Sequence, residues 1–105
     1  MAVLESIRDC VSSRRYLFSR HAADQLITRD IAVTEVEHAL LGHAEVIEDY
    51  PDDKYGPSCL ILGYTIAGRP LHVQCAYSDA TIVKIVTVYR PDPERWIDMR
   101  SRKRG

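Results

Sequence analysis

The hydrophobic residues of the first forty positions recur three and four residues apart, which places them on one face of an α-helix. A first helix is predicted over residues 2–13. A second is predicted to begin after Ser19, whose hydroxyl can accept a backbone N–H of the first turn. A third is predicted to begin at a capping box formed by residues 34–37 and to end before Gly42.

The second predicted helix separates apolar from polar side chains. Its apolar stripe consists of Ala22, Ala23, Leu26 and Ile27. Its opposite arc holds His21, Asp24, Gln25, Thr28 and Arg29. Packing of the stripe against a core explains why His21 and Arg29 point away from it. It does not explain why a histidine and an arginine occur there, so they are either solvated surface or part of a site.

After Gly42 the hydrophobic pattern changes to strand-like segments separated by turn residues. Four strands are predicted, over residues 44–50, 58–66, 71–77 and 81–89. Their short connections indicate antiparallel neighbours, with the helices packed on one face of the sheet in an α+β fold. A short final helix is predicted over residues 93–99, with Asp92 as its cap and Pro93 at its first position. The prediction is one domain over residues 1–105, with a core at about 16–99 and a flexible basic tail at 100–105.

The composition is that of an ordinary globular domain, because 46% of the 105 residues are hydrophobic. Apolar runs are too short to span a membrane, and we identify no signal peptide. The three cysteines are odd in number and lack CxxC spacing, which favours reduced thiols in a cytoplasmic protein.

The net charge of −1 argues against strong non-specific binding of nucleic acid. However, residues 30–53 hold eight acids and no Lys or Arg, whereas the last eleven residues hold five bases and one acid. The chain can therefore present a basic face although its net charge is close to zero.

Strand alternation predicts where the candidate catalytic side chains point. On the third predicted strand, His72 and Gln74 share the face opposite the apolar residues. On the fourth, Lys84 and Arg90 are expected on one side, and Thr87 and Tyr89 on the other. If the helices cover one face, some of these side chains meet on the open face or at its rim. A histidine, arginines and a tyrosine suit a metal-independent ribonuclease that forms a cyclic phosphate.

Each candidate also has a structural interpretation. His21 can be solvated or capping, Arg29 can form a surface ion pair, His72 can be a buried structural histidine, and Tyr89 can be a rim aromatic. Acids at positions 45, 48, 49, 52 and 53 could bind Mg²⁺ or Ca²⁺, but their spacing fits no calcium loop. No cysteine or histidine pair has zinc-ligand spacing. We therefore predict no metal and no cofactor.

Several segments together resemble a small bacterial family of domains of unknown function. They are S-R-H-A-A-D-Q-L followed by R-D-I, then V-I-E-D-Y-P-D-D, P-S-C-L-I-L-G, R-P-L-H-V and T-V-Y-R-P-D-P-E-R-W. The resemblance covers roughly residues 16–96. That family looks related to the RelE-like and BrnT-like toxins of the barnase–EndoU–colicin–RelE nuclease group. The motif positions in this chain are Ser19, His21, Arg29, His72 and Tyr89.

The resemblance implies a RelE-like fold, with helices packed on a four-stranded antiparallel sheet. It also implies an endoribonuclease of a toxin–antitoxin system, with RNA as substrate and a cognate antitoxin as partner. In that hypothesis His21 or His72 is the general acid or base, Arg29 and Arg90 hold the phosphate, and Tyr89 orients the substrate or donates a proton. The slight acidity of the chain departs from the basic toxins. The alternative is a non-catalytic protein-interaction module, and the oligomeric state stays open.

Overall fold

The computed structural model describes residues 3–53, 56–79 and 81–104. Within these ranges the chain is α+β. The helices are α1 (Val3–Ser12), α2 (Arg20–Thr28) and α3 (Val33–Leu41). The strands are β1 (Tyr16–Phe18), β2 (Glu45–Tyr50), β3 (Ser58–Tyr64), β4 (Pro70–Ala76), β5 (Val83–Tyr89), β6 (Trp96–Ile97) and β7 (Ser101–Arg102). None of the described helices is long and apolar enough to cross a membrane.

The main sheet has five strands in the order β1-β5-β4-β3-β2, which corrects the predicted four-stranded antiparallel sheet. The four predicted strands are present and pair antiparallel as a meander. The additional strand, β1, lies parallel to β5, with Leu17 opposite Lys84. A strand of three residues is too short to show alternation, so the hydrophobic pattern did not reveal it.

The helices cover one face of this sheet and enclose the main core. The core contains the apolar side chains of β4 that alternation placed on one face, namely Leu71, Val73 and Cys75. It also contains Val83 and Ile85 of β5. At Gly63 the backbone of β3 lies directly against α3, because a Cβ built there would be 2.2 Å from the carbonyl oxygen of Ala39. Glycine therefore sets how closely α3 approaches the sheet.

Helix α2 packs differently from its predicted apolar stripe. Gln25, expected on the polar arc, is 7% exposed, whereas Ile27, expected in the stripe, is 81% exposed. The reason is that α2 covers the edge of β5 beyond the end of β1. There the Gln25 side-chain oxygen accepts the backbone N–H of Val88 at 2.8 Å. The predicted N-cap is confirmed, since the Ser19 hydroxyl accepts the N–H of Ala22.

Replacing Gln25 with methionine should lower the free energy of unfolding by about 1–3 kcal/mol, because the buried N–H of Val88 would lose its acceptor. Methionine keeps the length and helix propensity of the side chain. Chemical denaturation measures the loss, and Asp24→Asn on the exposed side of α2 is the control, expected within about 0.5 kcal/mol of the parent. Equal stability of the two variants would contradict this role of Gln25.

Helix α3 begins two residues earlier than its predicted capping box. Its N-cap is Ala32, whose backbone N–H donates to Glu35 Oε1 at 2.9 Å. Alanine has no side-chain acceptor, so only the glutamate half of a capping box is present, and Thr34 lies within the first turn. The predicted end is confirmed, because the N–H of Gly42 donates to the carbonyl of His38.

The predicted final helix is wrong, because residues 96–102 form a β-hairpin, with Trp96 opposite Arg102 and Ile97 opposite Ser101. The N–H of Arg100 donates to the carbonyl of Ile97, and the two residues between them have φ of 51° and 63°. This turn has the left-handed conformation typical of tight hairpins, but without glycine. Tertiary contacts of the hairpin override the local helix signals.

The basic tail, predicted to be flexible, is in part this hairpin's second strand. Arg100 Nε donates to Glu45 at 2.6 Å, and Arg102 donates to Glu48 at 2.9 and 3.2 Å. The N–H of Lys103 donates to the carbonyl of Arg95 at 2.8 Å. The acids of β2 thus form ion pairs with bases that follow Trp96. These pairs bring the acidic segment at residues 30–53 and the basic C-terminal segment together.

A β-bulge changes which side chains of β5 share a face. Gln74 pairs with Thr87 and Cys75 with Ile85, so Val86 is an extra residue between them. The bulge puts Lys84 on the same face as Thr87 and Tyr89, which corrects the predicted grouping of Lys84 with Arg90. The sheet face that the helices leave open therefore carries the side chains of Lys84, Thr87 and Tyr89.

Candidate functional site

A pocket of about 800 Å³ lies between the open face of the sheet and the β6–β7 hairpin. Thr87 and Gln74 from the sheet and Arg29 from the end of α2 are among its lining residues. The bases that line it are Arg29, Arg90, Arg95, Arg102 and Lys103, and the acids are Asp92 and Glu94. This excess of bases makes the pocket suited to an anionic ligand.

Tyr89, which lines the pocket, is hydrogen-bonded to the buried His72 behind it. His72 Nε2 lies 2.6 Å from the carbonyl oxygen of Met99, and Nδ1 lies 3.0 Å from the Tyr89 hydroxyl. A carbonyl only accepts hydrogen bonds, so Nε2 carries the hydrogen. In the neutral ring Nδ1 is then an acceptor, and Tyr89 donates to it. The lone pairs of the Tyr89 oxygen are left to accept a proton from a ligand.

Burial determines the protonation of both members of this pair. It lowers the pKa of His72, outweighing the hydrogen bond to Met99 and the attraction of Glu48, which both raise it. Burial also raises the pKa of Tyr89, although the charge of Arg102 opposes this. The neutral imidazole and neutral phenol are therefore the stable forms at neutral pH.

The lowered pKa of His72 predicts that the protein loses stability as pH falls from about 7.5 to 5.5. The unfolded chain has a histidine pKa of about 6.5 and binds the proton first. Unfolding is then favoured by at most about 1.4 kcal/mol per pH unit. Stabilisation by neutral His72 is complete above the unfolded pKa and disappears as pH falls through the folded pKa. The lowered pKa of Glu48 acts below about 4.5, outside this range.

Urea unfolding at both pH values would measure this loss in the parent and in His72→Gln. The variant should have a shallower pH dependence, since glutamine does not titrate. His21→Gln, at an exposed position, should keep the parent's slope. If His72→Gln kept it too, another group would be responsible.

The hairpin wall is held against the sheet by ionic and aromatic contacts. The ring of Trp96 packs edge-on against His72, with centroids 4.4 Å apart, and the guanidinium of Arg102 lies 4.7 Å from the Trp96 centroid. Glu48 also accepts the Tyr50 hydroxyl. Burial raises the pKa of Glu48, but the hydrogen bonds from Arg102 and Tyr50 outweigh it and hold that pKa below its ordinary value.

The pocket's bases differ in their availability to a ligand. Arg102 is bound to Glu48, and Arg90 donates to the backbone carbonyls of Arg29 and Asp30 at 2.7 and 3.2 Å. The side chains of Arg29, Arg95 and Lys103 have no hydrogen-bonding partner among the described residues and are exposed. Three cations are thus available to bind an anion.

The structure brings together four of the five candidate residues. Arg29, Tyr89 and Arg90 line the pocket, and His72 lies behind Tyr89. His21 is exposed near the start of α2, eight residues or about 12 Å along the helix from Arg29, and does not line the pocket. Sequence analysis missed Arg95, Trp96 and Lys103, which it assigned to a helix and a tail. The sequence feature that could have revealed these residues is a tryptophan within a basic segment.

Four of the five acids considered for a metal site are engaged elsewhere. Glu45 and Glu48 pair with Arg100 and Arg102. Asp49 accepts the Tyr77 hydroxyl at 2.6 Å, and Asp53 accepts the Ser58 hydroxyl at 3.2 Å. Over residues 3–53, 56–79 and 81–104, no three His, Cys, Asp or Glu side chains form a group that could hold a metal ion.

Comparison with known proteins identifies a family. Residues 18–90 match the model of a family described as "Domain of unknown function (DUF4258)". No curated protein matches the chain, and no solved structure matches it. The matched segment contains His72, Gln74, Tyr89 and Arg90, and it ends before the hairpin.

Proposed function

The chain belongs to the DUF4258 family, and we propose that its pocket binds RNA and cleaves it without a metal ion, as a toxin-type endoribonuclease. The proposal includes a distant relation of this fold to the RelE-like toxins. The observation that supports it best is the hydrogen-bonded Tyr89–His72 pair beside three cations that have no hydrogen-bonding partner in the described part of the chain.

The proton relay follows from the tautomer of His72. A ribose 2′-hydroxyl placed against Tyr89 donates its proton to the phenol oxygen, while the phenol proton moves to His72 Nδ1. The phenol stays neutral throughout, in keeping with its raised pKa. The carbonyl of Met99 holds the imidazole in place from the other side. Such acid–base assistance contributes typically about 10²–10⁴-fold to a rate.

The unpaired cations complete the reaction. The 2′-oxygen forms a bond to phosphorus, and the bond from phosphorus to the 5′-oxygen breaks. Arg29 and Arg95 stabilise the charge on the phosphorane oxygens. The Lys103 ammonium protonates the departing 5′-oxygen, so the products are a 2′,3′-cyclic phosphate and a 5′-hydroxyl. Arg90, which is bound to backbone carbonyls, acts by fixing the end of α2 beside the pocket.

Incubation of purified protein with a labelled RNA pool in EDTA tests the proposal. We expect cleavage, and mass spectrometry should find cyclic phosphates at the new 3′ ends. Loss of cleavage in EDTA would point to metal-dependent chemistry instead. Absence of cleavage over a wide range of protein concentration, with or without Mg²⁺, would refute the enzymatic proposal.

A non-catalytic interaction module is the second candidate. It is favoured by the complete burial of His72, which makes two hydrogen bonds as structural histidines do. The basic pocket would then bind an acidic segment of a partner protein. In the toxin proposal a cognate antitoxin would cover the same pocket. Expression in cells separates the two, because a toxin should arrest growth and its co-expressed partner should relieve the arrest.

A further inference from the structure

Gln74 lies on the open face between two adjoining cavities. One is the basic pocket. The other, of about 580 Å³, is lined by Gln74, Tyr50 and the turn at residues 51–53. Gln74 is two residues from His72 on β4, or about 7 Å along the strand. A nucleotide whose sugar lies at Tyr89 can therefore place its base over Gln74.

A chain of hydrogen bonds determines which end of the Gln74 amide is free. The Ser58 hydroxyl lies 3.2 Å from Asp53 Oδ2 and 3.2 Å from Gln74 Nε2. A carboxylate only accepts, so the single hydroxyl hydrogen of Ser58 goes to Asp53. The Ser58 oxygen must then accept from Gln74, which has to use its NH₂ group. The Gln74 carbonyl oxygen has no partner among the described residues, so an acceptor is left for the cavity.

We infer that Gln74 is a specificity-determining residue that selects an unpaired base with an amino group. This inference rests on the proposed RNA-binding function of the pocket. The exocyclic amine of cytosine can donate to the Gln74 oxygen, whereas uracil presents a carbonyl at that position and leaves two acceptors facing each other. The Thr87 hydroxyl, opposite Gln74 on β5, tolerates either group because it both donates and accepts.

Binding of oligocytidylate and oligouridylate of equal length tests the inference, using fluorescence anisotropy and a Tyr89→Phe protein that cannot complete the relay. We expect oligocytidylate to bind about tenfold more tightly, the effect of one hydrogen bond gained and one acceptor left unpaired. Ser58→Ala should bring the ratio close to one, because the released amide can rotate and donate to uracil. Gln74→Met should do the same without requiring a change at the buried Ser58.

Arg95→Gln is the matched control, since it should weaken both oligonucleotides and preserve their ratio. Equal affinities in the Tyr89→Phe protein, or a preference unchanged by Gln74→Met, would overturn the role of Gln74 while leaving RNA binding intact. Failure to bind either oligonucleotide would instead refute the proposed function, and this inference with it.

Discussion

Tyr89→Phe is expected to slow RNA cleavage by about 100-fold or more. Phenylalanine keeps the ring that packs against His72 but removes the hydroxyl that joins the pocket to Nδ1. The affinity for RNA should stay close to that of the parent, because phosphate binding is assigned to Arg29 and Arg95. Single-turnover cleavage and anisotropy, measured on the same RNA, separate the two quantities.

Tyr50→Phe is the matched control, because Tyr50 also lines the pocket but its hydroxyl is bound to Glu48. Its cleavage rate should stay within a few-fold of the parent's. If both variants cleaved at the parent's rate, the relay through His72 would be wrong even if the protein were a ribonuclease.

Gly63→Ala is expected to lower the free energy of unfolding by about 3 kcal/mol or more, at the upper end of the cost of overpacking. The added methyl would lie 2.2 and 2.7 Å from the carbonyl oxygen and carbon of Ala39. Both are backbone atoms of α3, so rotation of a side chain cannot relieve the contact. Thermal and chemical denaturation would measure the loss, with complete failure to fold as its limit.

Gly68→Ala provides a contrast, because its Cβ would meet nothing within 4 Å but its φ is +80°. We expect it to cost only about 1–2 kcal/mol, from backbone strain alone. A Gly63→Ala protein as stable as Gly68→Ala would mean that α3 can move away from β3 at little cost.

The sequence predicted the parts of the fold that local periodicity determines. Alternation located the four strands of the meander and assigned Leu71 and Val73 to the core, as the structure has them. The same alternation put His72 and Gln74 on the open face. Ser19 and Gly42 marked helix ends by capping rules that act within one turn.

The remaining features depend on contacts between distant segments, which no local pattern contains. Gln25 is buried because β1 ends early and leaves the Val88 N–H to be satisfied. The final hairpin forms although Asp92 and Pro93 are good helix starters, because Trp96 packs on His72 and Arg102 reaches Glu48. The basic side of the pocket could be placed only once these contacts were known.

The extra residue in β5 gives the strand one residue more than its ladder with β4 needs. Deleting Val86 would make that ladder regular and leave every later side chain on its present side. Tyr89 would remain opposite His72, and Val88 would remain in the core. The pairing of β4 with β3 has no extra residue, so deleting a residue from β4 would exchange the core and open-face side chains beyond the deletion. We therefore expect β5 to tolerate the loss of Val86 far better than β4 tolerates the loss of any residue.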